Sequence, residues 1–465
     1  MFSCPNCGGN LKFDIPSQQL SCEYCHTQAD PYSFEDKAQD SFMQQDFEAT
    51  IFTCPQCGGE ILSTDTSAAE FCSFCGASTI LHSRLVKEKR PNYIIPFKQT
   101  KEDCKKAYSA MMKKAFFAPD ALKNPKYIDS FRGIYMPYWA FYMTQQDGFS
   151  LKGTKSYRRG NYVYTDHYAL EGDIEAYYKG LSYDASSSFD DNISEKIAPY
   201  DVKGMKAFTP AFLSGFYADT ADVSSEVYES DAIQIARNHS VSQIYQERAF
   251  TGYSMSPLME EDSLNTTTQS VDSTMFPVWF MSYRNAGRVA YATVNGQTGK
   301  VVADLPIDAK KYLIGSLILA LPIFLLLNLF FTVIPSVLLI ISTILALLTC
   351  IIYAVELVQL RKKEKGLEDK GRMAKATSGT VQSSTTKKER KDAKKSAGLM
   401  TAIAAVVVGI VITCIHPVSD LFYYGGVIFV LLAIFYTIKD IIYYYNILST
   451  RRLPQFDRTG GDDRA

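Results

Sequence analysis

The chain has only five histidines and two tryptophans in 465 residues. His26, His82, His167, His239 and His416 are scattered without H-E-x-x-H spacing, and no G-x-S-x-G elbow occurs. GQTGK at 296–300 falls short of a phosphate loop, because valine follows Gly299-Lys300 where that loop needs serine or threonine. Asp190-Asp191 and Glu260-Glu261-Asp262 lie in Ser/Asn-rich stretches and read as solvated charge. With these constellations missing, the chain is expected not to be an enzyme, and no catalytic or cofactor-binding residue is assigned.

Positive charge is scarce at the N-terminal end. Residues 1–80 carry two basic side chains, Lys12 and Lys37, against eleven acidic ones. A module that grips DNA or RNA neutralises phosphates with clustered Lys and Arg, so nucleic acid is an unfavoured partner. The opening MFSCPNCGGN has neither a charged n-region nor an apolar h-region, and no signal peptide is expected. Charge of either sign is missing altogether from Leu313 to Val355 and from Gly398 to Ser419. A bilayer core takes about 20 apolar residues per helix. The first run therefore holds two crossings and the second one, with Leu421–Ile438 as a fourth.

What the chain does have is cysteine, concentrated at one end. Residues 4–25 read CPNCGGNLKFDIPSQQLSCEYC and residues 54–75 read CPQCGGEILSTDTSAAEFCSFC, each C-x2-C-x14-C-x2-C. Two C-P-x-C-G-G knuckles aim thiolates at one point, and Gly8, Gly9, Gly58 and Gly59 are expected to supply positive φ in the turns. The spacing is that of a zinc ribbon. Cys4, Cys7, Cys22 and Cys25 are the expected ligands of one structural Zn2+, and Cys54, Cys57, Cys72 and Cys75 those of a second. Cys22 to His26 also fits the C-x-x-C-H of haem attachment. Gly76 stands where His26 stands, however, so the knuckle does not require the histidine. Cys104, Cys350 and Cys414 are isolated and read as ordinary apolar residues.

The flanks of the spans carry the Lys and Arg: Lys310 and Lys311 before the first, 13 basic residues from Arg361 to Lys395 between the second and third, and Arg451 and Arg452 after the fourth. By the positive-inside rule all three flanks face the cytosol. The expectation is a multi-pass cell-membrane protein with both termini and residues 1–308 cytosolic. Between ribbons and spans, MPYWAFY (136–142) and FPVWFMSY (276–283) are matching frames, each preceded by a helical segment. Thr100, with Asp103 three residues on, caps the first helix, and the second runs from Ser224. NYVYTDHYALEGDIEAYY alternates like a strand, and RVAYATVNGQTGKVVADLP reads as a hairpin leading to the membrane.

The expected fold is tandem zinc ribbons, an α+β domain on an antiparallel sheet, and four transmembrane helices. Its boundaries are ribbon 1 at 1–30, an acidic linker at 31–50, ribbon 2 at 51–80 and a basic linker at 81–92. The aromatic-rich domain spans 93–308 and is read as a duplicated helix-then-sheet unit. Transmembrane hairpins at 312–358 and 398–448 flank a disordered basic loop at 359–397, and a tail fills 449–465.

With these parts assembled, the chain resembles a family of bacterial membrane proteins described as TFIIB-type zinc-ribbon proteins, sometimes mislabelled PriA-like helicases. The resemblance covers residues 1 to about 315. It rests on CPxCGG with a second CxxC, IPFK at 95–98, PYW, AFLSGFYAD at 211–219, PVW and VNGQTGKVVADLP. It implies a cytosol-facing membrane scaffold associated with PspA-like or SPFH-domain envelope-stress proteins, and no enzymatic activity. The expected function is a membrane-anchored adaptor that recruits a cytosolic protein. A membrane-tethered nucleic-acid binder is the alternative, and a transporter-like or enzymatic membrane protein the third.

Overall fold

A computed structural model describes residues 2–34, 46–63, 72–77, 82–257, 264–285, 287–330, 333–364, 369–371, 373–374 and 397–454. The N-terminal cysteine unit builds its own three-stranded sheet from β1 (Leu11–Asp14), β2 (Gln19–Cys22) and β3 (Gln28–Ala29). Strands β4 (Asp46–Thr53), β5 (Glu60–Ser63) and β6 (His82–Lys89) belong instead to a large sheet that runs through the following domain. The next elements are β7 (Tyr93–Ile94), α1 (Lys101–Lys114), α2 (Pro125–Ile128), β8 (Arg132–Arg159), β9 (Tyr162–Asp184), α3 (Asp191–Ile197), β10 (Lys206–Ala207) and β11 (Tyr217–Ala218). The domain closes with α4 (Glu226–Gln246), β12 (Ser254–Met255), β13 (Thr266–Asn285), β14 (Arg288–Asn295) and β15 (Val301–Ala303).

Two expected linkers prove to be structure. HSRLVKEK is β6, paired antiparallel along its whole length with β4, and the end of the acidic stretch is β4 itself. The period-2 pattern in DFEATIFT explains why: Phe47, Ala49 and Ile51 are buried while Asp46 and Glu48 face out. The two strands also place Asp46 opposite Lys89 and Glu48 opposite Lys87, so the basic run that reads as solvated linker complements the acidic one. Residues 35–45 of the acidic linker lie outside the described residues.

The two tryptophan frames sit side by side. β8 and β13 pair antiparallel with Met136 opposite Phe276, so matching residues of the two frames meet across a local two-fold axis. The surrounding bonds repeat about it. β7 runs parallel to β13 (Tyr93 opposite Thr274) as β11 runs parallel to β8 (Tyr217 opposite Ile134). Ile95 N donates to Met275 O and Asp219 N to Tyr135 O, both at 2.9 Å. Gly296 N reaches Pro277 O and Ala185 N reaches Pro137 O, both at 2.8 Å. Trp279 Nε1 donates to Gln99 O at 2.9 Å and Trp139 Nε1 to Val223 O at 2.8 Å. Each indole thus anchors the chain just before the helix of the other half. Thr100 and Asp103 form the expected capping box on α1.

The repeat also sets Asn295 against Asp184, since Val278 pairs with Asn295 as Tyr138 pairs with Asp184. Asn295 is fully buried, with its amide donating to the carbonyls of Ile197 and Pro199. Asp184 is as deeply buried, and burial, reinforced by Asp191, pushes its carboxyl well above the usual range. A carboxyl that binds its proton more tightly folded than unfolded makes stability fall as pH rises above about 4, the unfolded value. Asp184→Asn is therefore expected to match the wild type near pH 4 and to unfold at higher temperature near pH 7. A thermal unfolding series across that range, reading the difference between the two chains, checks it.

Four helices are long and apolar enough to cross a membrane: α5 (Ala309–Phe330), α6 (Pro335–Glu364), α7 (Ala397–Ile415) and α8 (Asp420–Leu448). The chain is a multi-pass membrane protein. Leu339 and Ala346 of α6, Ala405 of α7, and Val427, Val430 and Ala433 of α8 pack as one cluster. The alanines and β-branched valines among them let helices approach closely where lipid tails offer no hydrophobic drive. α5 stands apart, with none of its spanning stretch buried.

Three flanks return to the same folded domain. Lys311 Nζ meets Ala118 O at 3.0 Å and the Asp120 carboxylate. Lys370, between α6 and α7, pairs with Asp231, and its amide donates to Asp191 Oδ2 at 2.6 Å. After α8, Arg451–Arg452 forms β16 on the edge of β14. All three flanks consequently meet the same folded domain. Lys370 and Gly371 of the basic loop engage the aromatic domain, whereas residues 365–368, 372 and 375–396 lie outside the described residues.

Candidate metal centres

Each cysteine pair sits in the same knuckle. Cys4 N bonds Gly9 O and Gly8 N returns to Cys4 O, and the pattern recurs at Cys22 with Thr27 and His26, at Cys54 with Gly59 and Gly58, and at Cys72 with Ala77 and Gly76. The return residue needs positive φ: Gly8 and Gly58 at 74°, Gly76 at 68°, His26 at 56°. Gly9 and Gly59 do not adopt it, which corrects the expectation for those two. At Gly9 the constraint is room, since a Cβ there would stand 2.6 Å from the Tyr24 ring. His26 is thus a turn residue in the left-handed region.

The strands between knuckles fold the second pair back onto the first. Cys4, Cys7, Cys22 and Cys25 come together, as do Cys54, Cys57, Cys72 and Cys75, all ligand atoms within 4.8 Å of one another in each group. Cys4 and Cys7 lie 3.5 Å from Cys25 and Cys22, and Cys54 and Cys57 lie 3.8 and 3.7 Å from Cys75 and Cys72. Sulfurs at the corners of a tetrahedron with bonds of about 2.3 Å stand about 3.8 Å apart, so both groups have the shape of a four-thiolate site. Cys104 lies in the core under α1, and Cys350 and Cys414 lie in spans.

Thiols this close share protons. The hydroxyl and amide of Thr27 pull Cys25 down to about 6, whereas hydrogen bonds among its cysteine neighbours, outweighing the Gly9 amide, push Cys7 up to about 12. In the second group Cys57 pulls Cys54 down and Cys54 pushes Cys72 up. All four ionise together only around a cation. The amides of Asn6 and Gly59 each lie 3.4 Å from a sulfur, on Cys4 and Cys57, as partial counter-charges.

The two groups sit on opposite faces of the large sheet. The first cysteine unit packs Phe13 edge-on against Phe212, 5.2 Å between centroids, within the core that holds Trp279 and Met281. The second cysteine unit turns Phe74 toward Phe280, on the other side of β13, and Tyr291 Oη donates to Phe74 O at 2.7 Å. Its four cysteines are all buried, whereas Cys7 of the first unit is exposed. Sequence reading finds all eight cysteines from spacing alone. It misses Arg451, whose guanidinium joins Asp190 and Asp304 over the Tyr291 ring, because an arginine after a span reads as a topology signal.

Among curated proteins, the chain is 30% identical over 314 residues to the uncharacterized protein YdjG of Bacillus subtilis (strain 168), covering 67% of this chain and 91% of that one. No protein-family model matches the chain, and no solved structure matches it.

Proposed function

The chain belongs to the family of the Bacillus subtilis protein YdjG, and we propose that it is a non-enzymatic, membrane-anchored zinc-ribbon adaptor recruiting a cytosolic protein to the bilayer. In this reading Cys4, Cys7, Cys22 and Cys25 hold one structural zinc and Cys54, Cys57, Cys72 and Cys75 the other, and residues 1–308 and both termini face the cytosol. One observation carries it: two four-cysteine groups are fixed on opposite faces of a sheet that is itself tied to three membrane flanks. Such a sheet presents rigid binding surfaces at a constant distance from the bilayer. The resemblance to TFIIB-type zinc-ribbon proteins makes PspA-like or SPFH-domain proteins the first partners to test.

A second reading is favoured by the β8–β9 hairpin. Arg132 pairs with Phe280 and Gln145 with Thr266, while Arg288, at the other end of β13, bonds Ile447 and Thr450 at the exit of α8. The hairpin tip consequently points away from the membrane. It carries Lys155, Arg158 and Arg159 beside exposed Tyr157, Tyr162 and Tyr164, with the Tyr157 and Tyr164 rings stacked at 5.7 Å. Basic side chains among aromatics on a two-stranded ribbon suit nucleic acid.

Recovery of the protein in mild detergent, with and without nuclease, separates the two. The adaptor reading expects a protein partner that survives nuclease; nuclease-sensitive DNA or RNA without a protein partner would sink it. A reporter fused after Ala465 is expected to be active only in the cytosol, and an external signal would overturn the orientation.

A further inference from the structure

The bend that follows α1 carries two phenylalanines that the domain core does not use. Phe116 is 75% exposed and Phe117 39%, whereas the aromatic residue that follows α4, Phe250, is buried edge-on against Phe149. The two helix ends differ in what they lie against. Phe117 packs edge-on against Tyr312 of α5, 5.3 Å between centroids, and so close to Gly315 that a Cβ there would stand 2.8 Å from its ring. Asp308 N donates to Phe117 O at 2.7 Å and Lys311 Nζ to Ala118 O at 3.0 Å, so backbone and side chain together fix the bend to the start of α5.

The height of this contact follows from the sequence of the span. The charge-free run begins at Leu313, and at a helical rise of about 1.5 Å per residue Gly315 lies about 3 Å inside it. Phe117 therefore stands where headgroups give way to acyl chains, the level at which aromatic side chains anchor spans, and Phe116 is its neighbour in the chain. The charge around the bend is positive. Lys113 and Lys114 in the last turn of α1 and Lys310 in the first turn of α5 are exposed, and among the described residues no ion pair engages them. Lys311 is taken by Asp120, and Asp308 accepts the amides of Lys310, at 2.9 Å, and Lys311, at 3.4 Å. An apolar wedge ringed by lysines, continuous with a membrane-spanning helix, matches the chemistry of a bilayer surface that carries anionic headgroups.

We propose that the bend Lys113–Phe117, together with Lys310, is a membrane-surface anchor: Phe116 inserts among lipid headgroups, and the three lysines gather anionic phospholipid around the entry of α5. The anchor holds or fails separately from the adaptor reading, because it concerns neither the cysteine groups nor a recovered protein partner.

The test is emission of Phe116→Trp in the full chain, reconstituted in phosphatidylcholine nanodiscs with the same mole fraction of either brominated phosphatidylcholine or brominated phosphatidylglycerol. The wild type, with only Trp139 and Trp279, gives the background, and Tyr157→Trp at the hairpin tip is the control distant from the bilayer. The indole introduced at position 116 is expected to be quenched by both brominated lipids and shielded from acrylamide, and the control to be quenched by acrylamide alone. Quenching by the phosphatidylglycerol is expected to be at least about twofold the stronger, and to fall to the phosphatidylcholine level in about 1 M salt, where charges are screened beyond about 3 Å. Replacing Lys113, Lys114 and Lys310 by Gln is expected to remove that preference at an unchanged melting temperature. Acrylamide quenching at position 116 equal to that of the control would leave the bend in water, open to a protein partner instead, and would overturn the proposal. Equal quenching by the two lipids, or a preference that survives the three Gln substitutions, would overturn it as well.

Discussion

On the proposed zinc assignment, Cys72→Ser is expected to lower the metal content from two ions per chain to one and to open strands β4 and β6 to protease, whereas Cys7→Ser should lose the other ion with little effect beyond the first cysteine unit. The asymmetry follows from how each unit is built in. The second unit shares the large sheet: β5 pairs with β11, and β11 with β8, so Ser63 and Leu62 are two strands from the central frame. Its knuckle also buries Phe74 against Phe280 and takes a hydrogen bond from Tyr291. The first unit closes a sheet of its own and leans on the domain through Phe13, with Ser214 and Leu11 joined by hydrogen bonding. Structural zinc supplies roughly 10–16 kcal/mol of coupled binding and folding in small units. A whole domain is stable by only about 5–15 kcal/mol, so losing the buried site should unfold the sheet edge that depends on it. Metal analysis with limited trypsin digestion at Lys87 and Lys89 reads both effects. Equal sensitivity in the two variants would refute the distinction, and iron with a haem spectrum would defeat the zinc assignment.

The second large effect is expected at Arg451. Its side chain, 11% exposed, places Nε 3.0 Å from Asp190 Oδ2 and Nη1 on Asp304, with the guanidinium 5.3 Å from the Tyr291 ring centroid. Removing one member of a buried charge group strands the others, at a cost of about 3–5 kcal/mol. Arg451→Ala should therefore destabilise the folded domain by that amount, although the residue follows the last span and touches no ribbon. Arg451→Lys keeps the charge but has no planar fork to bridge two carboxylates, and an intermediate loss is expected. Thermal unfolding of the three chains in one detergent measures the series. An unchanged midpoint for Arg451→Ala would mean that β16 does not hold the domain to the membrane exit.

The cysteine groups were legible because zinc-type geometry is local. Two residues between thiols set the knuckle, and the return residue needs left-handed backbone, which Gly8, Gly58 and Gly76 provide. The spans were legible because a run without charge has one stable solvent. The linkers were misread because a strand of alternating charge such as HSRLVKEK carries its reason in its partner, β4, and not in itself. The matching frames were visible as Pro-x-Trp pairs, but their relation was not. That Trp139 anchors the entry to α4 and Trp279 the entry to α1 depends on pairing between strands 140 positions apart, Met136 with Phe276.

The sequence by itself thus determined the two four-cysteine groups, the four long apolar helices and the capped helix at Thr100, each specified by residues within one turn, one knuckle or one apolar run. Only the tertiary structure decided that the cysteine groups lie on opposite faces of one sheet, that Lys311, Lys370 and Arg451 converge on one domain, and that Phe117 sits against the entry of α5. Those are contacts between distant segments, and their energy lies in complementary shape and charge that neither segment carries alone.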